Sequence, residues 1–186
     1  MTDLFIILTL IATFGIVRFF CIFFHELGHA LPAMKYTQMP VTIFVGSYGD
    51  ERRCIRLSHG LLEIYIKRNP LTWNKGLCVC EADYMTLQQT IIQVLAGPVF
   101  SLIVAAVGLT LVCLFDMHGF FRYIFGMFLI SSTFDLFNNL IPRTIASSDY
   151  SVIKSDGKIL LELIRDWREE NALMKGKKKK NNLRRI

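Results

Sequence analysis

At 53 % hydrophobic residues in a chain of 186, with a mean hydropathy of +0.42, the sequence is too apolar for a soluble domain of this length. The apolar residues cluster in long runs and the formal net charge is +6, so one membrane domain is expected, with no length to spare for a second folded unit. Fifteen Phe suit lipid-facing and helix-packing surfaces better than a small soluble core, and the five Cys form no zinc-finger or disulfide framework, which reads as free thiols.

The first apolar segment runs over residues 4–34, with Arg18 its only charge before the histidines. As a helix it measures about 46 Å, longer than a hydrocarbon core of roughly 30 Å, so it must tilt, break near Pro32 or emerge before its end. The terminus before it has no basic residue, so it does not read as a signal peptide. Inside the segment stands His25-Glu26-Leu27-Gly28-His29. Residues four apart share a helix face, so both imidazoles can reach one zinc ion, and Glu26 beside them can take a proton from water at the metal. Ionisable groups within an apolar helix are costly and usually functional, which favours a hydrolytic metal site over a structural one.

Residues 38–68 alternate in the manner of strands: Val41, Ile43 and Val45, then Ile55 and Leu57, then Leu62, Ile64 and Ile66. A small antiparallel sheet is expected, with turns at Gly46–Asp50 and His59–Gly60. Residues 69–83 read as a connector. The second span covers about 85–115 and contains Ala96-Gly97-Pro98, where Gly97 and Ser101 offer a small-residue face to a neighbouring helix or to substrate. The third covers about 120–140, with Asp135, Asn138 and Asn139 as polar groups at membrane depth. Residues 143–155 read as a polar loop. From Asp156, an amphipathic surface helix with Ile159, Leu160, Leu163 and Ile164 on one side is expected to reach about Asn171. One domain, 1–172, is therefore followed by a basic, disordered tail, 173–186, drawn to anionic lipid rather than to nucleic acid.

Three spans put the loop from Lys35 to Asp83 and the basic tail on the same side, and together these hold nearly all of the Lys and Arg. The positive-inside rule makes that side cytoplasmic and the N-terminus outside, in a multi-pass protein of the cell membrane. The fold class is thus mainly α: three transmembrane helices, a small cytoplasmic-side antiparallel sheet and a C-terminal surface helix. A catalytic zinc site needs a third protein ligand, and Asp135, Asp149 and Asp156 all remain open to that role, since zinc accepts any of these carboxylates.

Three separated motifs carry a resemblance to a known family. His25-Glu26-Leu27-Gly28-His29, then Gly97-Pro98-Val99-Phe100-Ser101, then Asn139-Leu140-Ile141-Pro142 with Asp156-Gly157, together resemble the site-2 protease family of intramembrane zinc metalloproteases. The resemblance covers most of residues 1–165. It implies Asp156 as the third zinc ligand beside His25 and His29, and Glu26 as the catalytic base. It also implies Asn139, with Gly97 and Pro98, as groups that hold substrate. The departure is a gap of 13 residues between Pro142 and Asp156, wider than in many members of the family. The implied activity is hydrolysis of a peptide bond in or near a transmembrane segment of a membrane protein or small precursor peptide. No separate recognition domain is visible, which leaves specificity to a regulatory membrane partner. Two other readings compete: a zinc-binding regulator without turnover, and a metal-ion transporter. Glu26 argues against the first, because a purely structural site needs no base, and three spans are few for the second.

Overall fold

The computed structural model describes residues 2–147 and 152–183. The chain divides into two compact units, Met1–Asn139 and Leu140–Ile186.

The first unit is built on three helices: α1 (Thr2–Thr37), α2 (Leu87–Leu114) and α3 (Gly119–Leu140). Each has a stretch long and apolar enough to cross a membrane: Ile7–Thr37, Leu87–Leu114 and Gly119–Leu140. Helix α1 is 36 residues long and continues through Pro32, so of the three alternatives a break at Pro32 is the one that does not occur. It stops only where Gln38 takes a left-handed φ of 55° and its N–H reaches the Met34 carbonyl at 3.0 Å. Helix α2 starts at a capping box: Thr86 Oγ1 accepts from the Gln89 N–H, and the Gln89 side chain accepts from the Thr86 N–H. The helices pack around Val17, Cys21, Ala105 and Phe128. Their outward surfaces are apolar, with Phe5, Ile11, Leu114, Ile130, Phe134 and Phe137 all exposed, whereas Gln93, Ser101, Ser132 and Asp135 are buried. Polar groups inside and large apolar groups outside reverse the pattern of a water-soluble bundle.

Asp135 owes its burial to a partner. Arg18 Nη1 donates to Asp135 Oδ2 at 2.6 Å and to Ser131 Oγ at 2.9 Å, pinning α1 to α3. Asp135 is therefore occupied by an ion pair.

The expected antiparallel sheet is instead mixed and has four strands, ordered β2-β3-β1-β4: β1 (Val41–Val45), β2 (Cys54–His59), β3 (Leu62–Lys67) and β4 (Gly76–Val79). Strand β3 runs parallel to β1, inserted between it and β2. Burial explains the order. β1 is buried at four of its five residues and takes a central place, while β2, with Arg56, Ser58 and His59, is exposed and suits an edge. β4 arises within the presumed connector and pairs antiparallel with β1. The sheet packs against the second half of α1. Val41, Ile43 and Val45 join Ile22, Ala30 and Ala33 in one core, flanked by Phe19, Phe23, Leu27 and Trp73. This contact runs along α1 from Phe19 to Met34. The Trp73 ring sits 4.8 Å from that of Phe19, and its Nε1–H donates to the Lys67 carbonyl at 2.8 Å.

In the second unit the supposed polar loop contains a two-stranded antiparallel pair, β5 (Thr144–Ser147) and β6 (Val152–Lys154). The backbone of α4 runs Asp156–Leu183, past Asn171, where the surface helix was expected to end. From Ala172 to Lys180 the stretch holds Ala, Leu, Met and Lys, all good helix formers, with Gly176 the one interruption.

Candidate metal centre

His25, Glu26 and His29 sit about two-thirds of the way along α1, and all three are buried, at 6 %, 7 % and 6 % exposure. The i, i+4 spacing brings the two imidazoles together edge to face, with Nε2 of one 3.1 Å from Nε2 of the other. The tautomer of His29 follows from its other nitrogen. Nδ1 lies 2.9 Å from the Gln93 carbonyl, an oxygen that can only accept, so Nδ1 carries the proton. In the neutral ring Nε2 then presents a lone pair towards His25. A ligating histidine is usually held this way, its outer N–H fixed by a carbonyl or carboxylate.

Two glycines allow this approach. A Cβ on Gly28 would fall 2.6 Å from the Ala96 carbonyl oxygen and 2.8 Å from Gly97 Cα, and a Cβ on Gly97 would strike the His29 ring. The backbones of α1 and α2 thus meet at Gly28 and Gly97, and Gly97 leaves the space the imidazole occupies. Pro98 and Ser101 are fully buried, with Ser101 Oγ donating to the Pro98 carbonyl at 3.1 Å. Gly97 serves as a neighbour of the histidine, and Pro98 packs within the helix pair. Asn139 is half-buried in the last turn of α3.

Gly76, at the start of β4, is the other close approach. A Cβ there would collide with the Glu26 carboxylate and lie 2.6 Å from Ile22 Cγ2. The first residue of a sheet edge therefore lies against the candidate base, a placement no sequence spacing foretells.

Asp156 opens α4 in the second unit, half-buried, between two residues that fix it. Ser155 before it is the helix N-cap: its Oγ accepts from the Lys158 N–H at 3.3 Å and from the Arg143 N–H at 3.0 Å, and donates to the Ile141 carbonyl at 2.8 Å. Gly157 after it cannot carry a side chain, because a Cβ would strike the Leu140 carbonyl. With the Ser155 N–H on the Arg143 carbonyl at 2.9 Å, these bonds close the base of the β5–β6 pair. The wide gap between Pro142 and Asp156 is thus taken up by a side excursion, and Asp156-Gly157 returns to the end of the Asn139–Pro142 stretch.

Of the competing carboxylates, Asp135 is held by Arg18 and Asp149 lies outside the described residues. His59 is exposed at the end of β2. Ser155, Gln93, Gly76 and Arg18 carry no motif of their own. Only the lone Arg18 in an apolar run signals a buried partner.

The chain matches no protein-family model and no curated protein.

Proposed function

We propose that this protein is an intramembrane zinc metalloprotease of the site-2 protease type, with His25, His29 and Asp156 as zinc ligands and Glu26 as the base. The observation that carries the reading is the pair of buried imidazoles whose Nε2 atoms converge at 3.1 Å while Nδ1 of His29 is fixed by the Gln93 carbonyl. Asp156, the first residue of α4, is the carboxylate that the family resemblance offers as the third ligand beside His25 and His29. Two imidazoles and one carboxylate suit zinc and leave a coordination position open, as catalytic sites require. Bound there, zinc would supply Lewis acidity, making water a nucleophile near neutral pH and polarising a carbonyl. Glu26, buried next to His25, takes the proton from the attacking water and passes it to the departing amine.

The outward apolar surfaces of α1, α2 and α3 support insertion in a bilayer, and the Lys and Arg of residues 35–83 and of the C-terminal segment support a cytoplasmic location for both. Glu26 then lies towards the cytoplasmic face. A helical substrate hides its carbonyls in its own hydrogen bonds and must unwind to be cut. Strand β4 offers a place for the opened segment, because it is a sheet edge that begins against Glu26. A photo-crosslinking residue at Val79 on β4, in a Glu26→Gln background, is expected to capture substrate. Capture at Leu57 on the opposite edge and none at Val79 would remove this role for β4.

Comparison of the membrane peptides of cells carrying wild-type or Glu26→Gln protein tests the activity itself. An uncut precursor should accumulate with the variant, and identical peptide sets would overturn the proposal.

A further inference from the structure

The second unit carries a basic groove that hydrolysis does not use. Its volume is about 460 Å³, and Pro142, Arg143 and Thr144 line one side. Lys158, Leu161, Glu162 and Arg165 line the other, at the i, i+3, i+4, i+7 spacing of a single face of α4.

The charges there do not cancel. Glu162, the one acid, is paired with Lys154 at 2.6 Å, and that hydrogen bond holds its carboxyl below the usual range. Lys158 Nζ is 2.6 Å from Thr144 Oγ1, a neutral acceptor that steers the ammonium without neutralising it. Arg165 reaches Asp166 and Glu169 only at 3.8 Å and stays largely exposed, so those pairs hold it weakly. Among the described residues Arg143 has no acidic partner. Three cations therefore face one groove whose single carboxylate is already matched from outside it. Leu161 and Pro142 add an apolar surface beside them.

Chain length limits how far Arg143 can lie from the end of α3. It follows the last residue of α3 by three positions, a reach of at most about 11 Å. With α3 spanning the bilayer, Arg143 stays within that reach of the membrane surface.

We propose that this groove binds the phosphate of an anionic phospholipid, with Arg143, Lys158 and Arg165 on the phosphate and Leu161 and Pro142 against the glycerol and first methylenes. The site rests on the membrane-spanning reading of α3 and is independent of the hydrolytic chemistry. A free phosphate ion would use the same cations but gain nothing from Leu161. A guanidinium offers paired donors to phosphate oxygens, and an ammonium serves as a point charge between them.

The test uses the full chain in neutral detergent, titrated by calorimetry with dihexanoyl phosphatidylglycerol, dihexanoyl phosphatidylcholine and inorganic phosphate. Phosphatidylglycerol should bind at least about ten-fold tighter than phosphatidylcholine, and inorganic phosphate should fail to displace it at equal concentration. Arg143→Gln with Lys158→Gln should weaken binding about twenty-five-fold, a factor of about five per charge, and Arg165→Gln alone about five-fold. Lys177→Gln with Lys178→Gln should leave it unchanged. Equal binding of the two lipids, displacement by inorganic phosphate, or full affinity in the double variant overturns the proposal. Carbonate extraction of membranes reports spanning by itself, so failure of the groove and failure of the spanning reading are told apart.

Discussion

Glu26→Gln should lower the rate of peptide cleavage by a factor of about 10² to 10⁴, the range that a positioned general base contributes. The amide has nearly the shape of the carboxylate, so the close approach to Gly76 is kept, while the group that accepts the proton is gone. Neither histidine is altered, and Nδ1 of His29 keeps its carbonyl partner on Gln93. Zinc content and thermal stability should therefore stay at wild-type values while turnover collapses. Wild-type cleavage rates in the variant would remove Glu26 from the chemistry. Loss of zinc together with activity would show instead that its role is to support the ligands.

The second large effect concerns Arg18 and Asp135. Their side chains are 18 % and 9 % exposed, and α1 and α3 place them 2.6 Å apart within apolar surroundings. Removing either one strands the other charge where water cannot reach it well, at a cost of about 3 to 5 kcal/mol. Arg18→Leu or Asp135→Leu alone should lower the unfolding midpoint in detergent by on the order of 10 °C. The double change removes both charges, so it should recover most of that loss. Recovery is what separates an ion pair from two independent packing sites; a double variant less stable than either single one would contradict the pairing. Asp135→Leu should also keep its zinc, because Asp135 serves Arg18. Loss of zinc on that change alone would return Asp135 to the list of ligands.

The helices and the His-Glu-x-x-His motif were legible in the sequence because both rest on local spacing. Apolar runs of span length set α1, α2 and α3, and i, i+4 geometry alone brings His25 and His29 together. The strand order was not legible. Alternation marks β1, β2 and β3 individually, but the insertion of β3 between β1 and β2 depends on which strand α1 buries most deeply. β4 has only four residues and was hidden among charged and turn-forming neighbours. The setting of the site was the least visible part. Gln93 holds His29 from 64 positions away and Asp135 holds Arg18 from 117, distances over which single-residue patterns say nothing. Asp156 was one of three candidate carboxylates, and only a family resemblance singled it out. Its physical sense appears with the backbone, where Ser155 caps α4 and Gly157 clears the Leu140 carbonyl.

The central claim is that Asp156 completes a zinc centre begun by His25 and His29 on α1. The most direct measurement is the zinc content of the purified full chain, wild type beside His25→Ala and Asp156→Ala. One zinc per wild-type chain, with zinc lost from both variants, is the predicted result. A wild-type protein that holds no zinc, or an Asp156→Ala protein that holds it as firmly as wild type, would contradict it.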